Sequence, residues 1–150
     1  VRQAHDSGKK VILAGNGGSA AMASHVAVDL TKAAGIRAVN FNEADLLTCF
    51  ANDYGYEHWV ARALGFYADP GDLAVLISSS GASQNIVNGA EQASAMGLAV
   101  ISLSGFSPDN PLRRLGDLNL WAPSDSYNIV EMTHHVWLLA IVDYLTETDG

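Results

Sequence analysis

Two glycine- and serine-rich loops hold the side chains best able to do chemistry in this 150-residue chain. The first reads Gly15-Asn16-Gly17-Gly18-Ser19-Ala20 and joins a short apolar run to a helix of small residues. Glycines let the backbone approach a ligand closely, and a helix start offers unpaired N–H groups at the positive end of its dipole. By itself this loop also fits a tight turn with a cap. It is not the six-residue dinucleotide fingerprint, and it lacks the Lys-Ser/Thr ending of a P-loop, so no nucleotide cofactor is expected. The second loop reads Ser78-Ser79-Ser80-Gly81-Ala82-Ser83-Gln84-Asn85 and again leads from an apolar run into a helix. Capping needs one hydroxyl, and the other serines are left without a structural task. Hydroxyls, backbone amides and a helix dipole can together hold the dianion of a phosphate monoester without Lys or Arg.

Titratable groups sit on the helices on either side. His25 and Asp29 are four residues apart and share one face of the first long helix. Glu131 and His135 form a second such pair on the last helix. His134 lies on a neighbouring face, four residues from both Val130 and Leu138. Two histidines in so apolar a helix could also be hydrogen-bonded core or interface residues, the reading preferred for His135.

The elements that must position these groups follow from hydrophobic pattern. Short apolar runs over 10–14, 37–41, 73–77, 98–103 and 117–121 read as strands. Residues 18–34, 54–67, 83–96 and about 126–146 read as helices, with Gly35 and Gly97 as stops and Asp69-Pro70-Gly71-Asp72 as a turn. Strands alternating with helices imply right-handed crossovers, hence α/β: a three-layer sandwich with a central parallel sheet flanked by helices. Uninterrupted apolar strands suit a sheet covered on both faces. The first ten residues read as the tail of a helix.

Composition narrows the partners. Sixteen acidic against eight basic side chains give a net charge of −8, which disfavours nucleic-acid backbones. Apolar residues at 49% with charged residues at 16% exclude disorder and describe a single domain, 1–150. The lone Cys49 excludes an intrachain disulfide and suits a reducing compartment, so a cytoplasmic location is expected. No apolar run approaches the ~20 residues of a membrane span.

The two loops together, with Asn52-Asp53-Tyr54-Gly55 between them, resemble those of sugar isomerase (SIS) domains, and most of all the phosphoheptose isomerase family. The likeness runs from about Val11 to the final helix. It implies an aldose–ketose isomerase converting sedoheptulose 7-phosphate to D-glycero-D-manno-heptose 7-phosphate. It also implies a homotetramer with active sites shared between subunits and an upstream helical segment mostly missing here. Under the resemblance, Ser78, Ser79, Ser80 and Ser83 hold phosphate, while Asn16, Gly17 and Ser19 lie at the sugar and phosphate. Asp53 matches a residue that contacts sugar hydroxyls, and it reads equally well as a turn residue.

Aldose–ketose interconversion moves a proton between adjacent carbons through an enediolate, so it needs a base and a stabiliser of the developing oxyanion. The family has His and Glu where this chain has His25 and Asp29, the carboxylate acting as base and both residues able to bind zinc. On the last helix the family's Gln and His correspond to Val130 and Leu138, which can do neither task. His134 is therefore expected as the acid or relay, and His25, Asp29, Glu131 and His134 as a zinc set. The altered helix also fits two other readings: an isomerase of a different phosphosugar, or a module that binds a phosphosugar or a protein without catalysis.

Overall fold

The computed structural model describes residues 1–147. After a short helix α1 (Arg2–Asp6), strands and helices alternate: β1 (Val11–Ala14), α2 (Gly18–Lys32), β2 (Ala38–Asn40), α3 (Ala44–Tyr54), α4 (Trp59–Tyr67) and β3 (Leu73–Ile77). Then follow α5 (Gln84–Ala95), β4 (Ala99–Ser104), α6 (Pro111–Leu115), β5 (Leu118–Trp121) and α7 (Tyr127–Glu147). The five strands are all parallel, in the order β2-β1-β3-β4-β5.

Helices cover both faces of this sheet, as the pattern predicts. Val11 and Leu13 of β1, with Leu73, Val75 and Ile77 of β3, pack toward α2 and α7. Ile12 and Ala14, with Ala74 and Leu76, pack toward α4, α5 and α6. Strands β1 and β3 thus send alternate side chains to opposite apolar layers and carry no polar side chain. The α2 helix ends where Gly35, at φ 64°, turns the chain so that the Ile36 N–H returns to the Leu30 carbonyl at 2.9 Å.

Two elements escape the pattern. Helix α3 has no buried residue, and its apolar side chains Leu46, Leu47 and Phe50 only lean against the core. Helix α6 is five residues long, started by Pro111 in its first turn and by the Asn110 side chain, which accepts from Arg113 N–H at 2.9 Å. The helix read over 54–67 begins later, at Trp59.

Chain order reverses between β1 and β3, with β2 on one side and β4 on the other. Ligands of open parallel sheets bind beyond the carboxyl ends of the strands at such a switch point. The two loops singled out above leave from these two strands and meet there.

Candidate active site

The first loop is held tight by its glycines. A Cβ on Gly15 would stand 2.6 Å from the Ser19 backbone, and Gly17 has φ 54° with ψ −120°, a conformation open to glycine. Asn16 then reaches across the switch point. Its Nδ2 donates to Asn85 Oδ1 at 2.9 Å, and its Oδ1 accepts from Asn85 Nδ2 at 2.9 Å and from the Tyr56 hydroxyl at 2.8 Å. Asn16 therefore ties the two loops together as well as lining the cavity between them.

That cavity, about 100 Å³, is lined by Asn16, Ser19, the serines Ser78, Ser79, Ser80 and Ser83, and by Tyr127 and Glu131. Ser78 Oγ donates to Ser83 Oγ at 3.0 Å, and Ser80 Oγ accepts from Ala82 N–H at 3.3 Å. Ser83 precedes α5 without using its side chain as a cap. The Ser79 hydroxyl is buried with no hydrogen-bond partner, a state that costs ~1–3 kcal/mol unless something accepts from it. The open N-termini of α2 and α5 add amides and positive dipole ends. Together these groups can hold one phosphate.

From the cradle, one face of α2 runs along α7. Gly18 and His25 are seven residues apart and share that face. A Cβ on Gly18 would collide with the Glu131 carboxylate, so the glycine lets α7 bring Glu131 to the start of α2, where the dipole favours an anion. Further along, His25 Nε2 lies 3.2 Å from Asp29 Oδ2, and His25 Nδ1 lies 3.0 Å from His135 Nε2. Both rings remain partly open to solvent.

His134 does not join them. Val130, His134, Leu138 and Val142 recur every fourth residue and form the buried stripe of α7. His134 is 0% exposed, and its Nε2 donates to the Ser104 carbonyl at 3.0 Å while Nδ1 has no partner. The expectation that His134 serves as acid or relay is therefore corrected: the face it shares with Val130 and Leu138 is the core face. The zinc set is corrected with it, since Glu131 turns to the serine cradle and His134 to the sheet. Among the described residues no three His, Cys, Asp or Glu side chains converge as a metal site. Asp53 stands apart as well, exposed at the end of α3, accepting from Asn52 Nδ2 at 2.9 Å and from the Cys49 thiol at 3.7 Å.

Sequence reasoning gave no role to Asn85 or Tyr56 and read His135 as a core or interface residue. Asn85 stood at the end of the quoted serine motif, and Tyr56 just past Asn-Asp-Tyr-Gly, but cross-loop pairing is not visible in a linear pattern.

Burial holds the His134 imidazole below its ordinary value of 6.5, offset in part by the Ser104 carbonyl. The unfolded chain then binds the extra proton, so stability is complete above about pH 6.5 and is lost as pH falls below it. The expected slope approaches ~1.4 kcal/mol per pH unit from this one group. His134→Leu should flatten that part of the curve, because Ser104 O keeps the Ala122 N–H at 2.8 Å and the unpaired Nδ1 is gone. Urea unfolding of both proteins between pH 7 and 5 measures it, and parallel curves would contradict this account.

Comparison with known proteins agrees with the geometry. The SIS domain family matches residues 1–105. The phosphoheptose isomerase of Fusobacterium nucleatum is 32% identical over 141 residues, covering 91% of this chain and 72% of the relative. That of Mycobacterium tuberculosis is 35% identical over 146 residues, covering 93% and 74%. The chain belongs to the phosphoheptose isomerase family of SIS domains. Its fold superposes on the solved phosphoheptose isomerase of Neisseria gonorrhoeae with a TM-score of 0.89 at 29% identity, covering 97% of this chain and 80% of that one. The SIS match ends at residue 105, before α7.

Proposed function

We propose that this chain is a phosphosugar aldose–ketose isomerase acting on sedoheptulose 7-phosphate to give D-glycero-D-manno-heptose 7-phosphate. The observation behind it is the serine cradle with its unpartnered Ser79 hydroxyl, set one helix face away from the His25–Asp29 pair. Six residues of α2 separate Ser19 from His25, a rise of ~9 Å. An extended sugar of seven carbons spans a similar length from phosphorus to its carbonyl carbon, seven bonds that each advance the chain by ~1.2 Å. Phosphate in the cradle thus leaves the reacting end at the level of His25, and Asp29 is the next residue along that helix face.

In this reading Asp29 removes a proton from C1 of the ketose, the electron pair shifts to the carbonyl oxygen on C2, and an enediolate forms. Return of the proton to C2, with O1 losing its proton and O2 gaining one, gives the aldose. His25 stands 3.2 Å from the Asp29 carboxylate, and the cradle serines keep the substrate in register. No step passes through a metal, since the residues named for zinc do not assemble.

A homotetramer belongs to the same proposal. Ile129, Met132 and Val136 on α7 and Val28 on α2 are more than half exposed, an apolar surface that suits burial against further copies. The reducing interior of a cell suits Cys49, an exposed thiol with no disulfide partner. One set of preparations tests the function. Wild-type protein should convert sedoheptulose 7-phosphate to aldose, and Ser79→Ala should raise KM ~10-fold or more, as expected for one lost hydrogen bond to a charged group. Light scattering on the same samples should give four chains. Binding without turnover would favour a phosphosugar-binding module instead, and a monomer would remove the tetramer.

A further inference from the structure

The two imidazoles between α2 and α7 make a hydrogen-bonded chain that the isomerisation scheme has so far used only in part. Their rings meet edge to face, with centroids 5.0 Å apart and planes at 83°. His25 Nδ1 and His135 Nε2 are 3.0 Å apart, and His25 Nε2 is 3.2 Å from Asp29 Oδ2. Counting protons along this chain fixes its direction. An ionised carboxylate only accepts, so a proton on His25 is favoured at Nε2, the nitrogen 3.2 Å from Asp29 Oδ2. In the neutral ring Nδ1 then carries the lone pair, and the proton between the two rings belongs to His135 Nε2.

The helices are arranged to make this meeting possible. His25 and Asp29 stand one turn apart on α2, Glu131 and His135 one turn apart on α7, and the two helices meet at His25 and His135. Gly18 lets the helices approach at the level of Glu131, and His135 meets His25 at the next level. Glu131 faces the serine cradle.

We propose that His135 is a positioning residue for the isomerisation. By donating to His25 Nδ1 it holds His25 in the Nε2–H tautomer, and that N–H fixes the Asp29 carboxylate with Oδ1 free to take the substrate proton. The function of a ring nitrogen is set by the bond that the other nitrogen makes, and here His135 makes it. This inference rests on the reading of Asp29 as base. It assigns a task to a side chain at which sequence spacing alone favoured packing.

Two substitutions of the full chain separate orientation from mere packing. His135→Gln keeps an amide N–H near the place of Nε2, whereas His135→Leu keeps bulk and removes the donor. Nitrogen-15 NMR of the imidazoles should show His25 as the Nε2–H tautomer in wild type and in His135→Gln, and a mixture of tautomers in His135→Leu. With sedoheptulose 7-phosphate, His135→Leu should lose ~10–100-fold in kcat with KM nearly unchanged, and His135→Gln should recover most of it. Equal kcat in the two variants, or a His25 spectrum indifferent to His135, would overturn the proposal. Should wild type prove inactive, the base reading fails by itself, while the NMR arm still decides whether His135 sets the His25 tautomer.

Discussion

Asp29→Asn is expected to lower kcat for isomerisation by roughly 10²–10⁴-fold while KM stays within about threefold, the range for loss of a general base. Asparagine keeps the shape and still offers His25 Nε2 an acceptor oxygen, so the local geometry survives and basicity alone is lost. Stability should hardly change, since the Asp29 side chain is 34% exposed, and the bonds from Ala33 and Ala34 N–H go to the Asp29 backbone carbonyl. Phosphate anchoring is untouched, because the cradle lies at the start of α2 and Asp29 three turns further on. Steady-state rates over a range of sedoheptulose 7-phosphate give both constants. Retention of a third or more of wild-type kcat would remove Asp29 from the base's role. Asp29→Glu introduces the residue that the family resemblance implies and lengthens the side chain by one methylene. Comparing its rate with wild type shows whether the backbone of this chain already compensates for the shorter acid.

The last helix shows how far spacing carries and where it stops. Placing Val130, His134 and Leu138 on one face, and Glu131 and His135 on the next, needs only the helical repeat, and both groupings hold in three dimensions. Which face meets the sheet is a separate matter. The decisive signal was present: Val142 continues the four-residue rhythm of Val130 and Leu138, so the stripe containing His134 is the apolar one. A histidine caught in such a stripe is desolvated and finds a carbonyl, as His134 does with Ser104. The neighbouring face keeps its polar side chains and presents them to α2.

The sheet and the phosphate loops were legible for a different reason. Strands buried on both faces are continuous apolar runs, and strand-to-helix loops with glycine or several serines interrupt them sharply. Helix α3 lacks any such contrast, because its apolar side is only partly covered within one chain. Helix α6 is too short to show a period at all. Pairings across the switch point, such as Asn16 with Asn85 and Tyr56, depend on two loops 69 and 40 residues apart in sequence coming together. Only the assembled sheet supplies that information.

Gly81→Ala should be the most damaging small change in the cradle, costing ~3 kcal/mol and lowering Tm by roughly 10 °C. Gly81 is buried at φ 67°, where an alanine is strained by ~1 kcal/mol before any contact is considered. Its new Cβ would also fall on the side chain of Asn110. That asparagine is 3% exposed and has several partners: it accepts from Arg113 N–H at the start of α6, and it donates to Ser104 Oγ at 3.0 Å and to Ser107 O at 2.8 Å. Displacing it removes a helix cap and leaves buried polar atoms unpaired. Gly81 N–H also closes the serine turn onto Ser78 O at 2.9 Å, so a shifted Gly81 moves the cradle hydroxyls proposed to hold phosphate, and KM should rise with the loss of stability. A double-mutant cycle separates collision from strain. If the clash with Asn110 dominates, Gly81→Ala combined with Asn110→Gly should cost clearly less than the sum of the two single changes. Additive costs would mean that backbone strain at position 81, and not the wedge against α6, carries the effect.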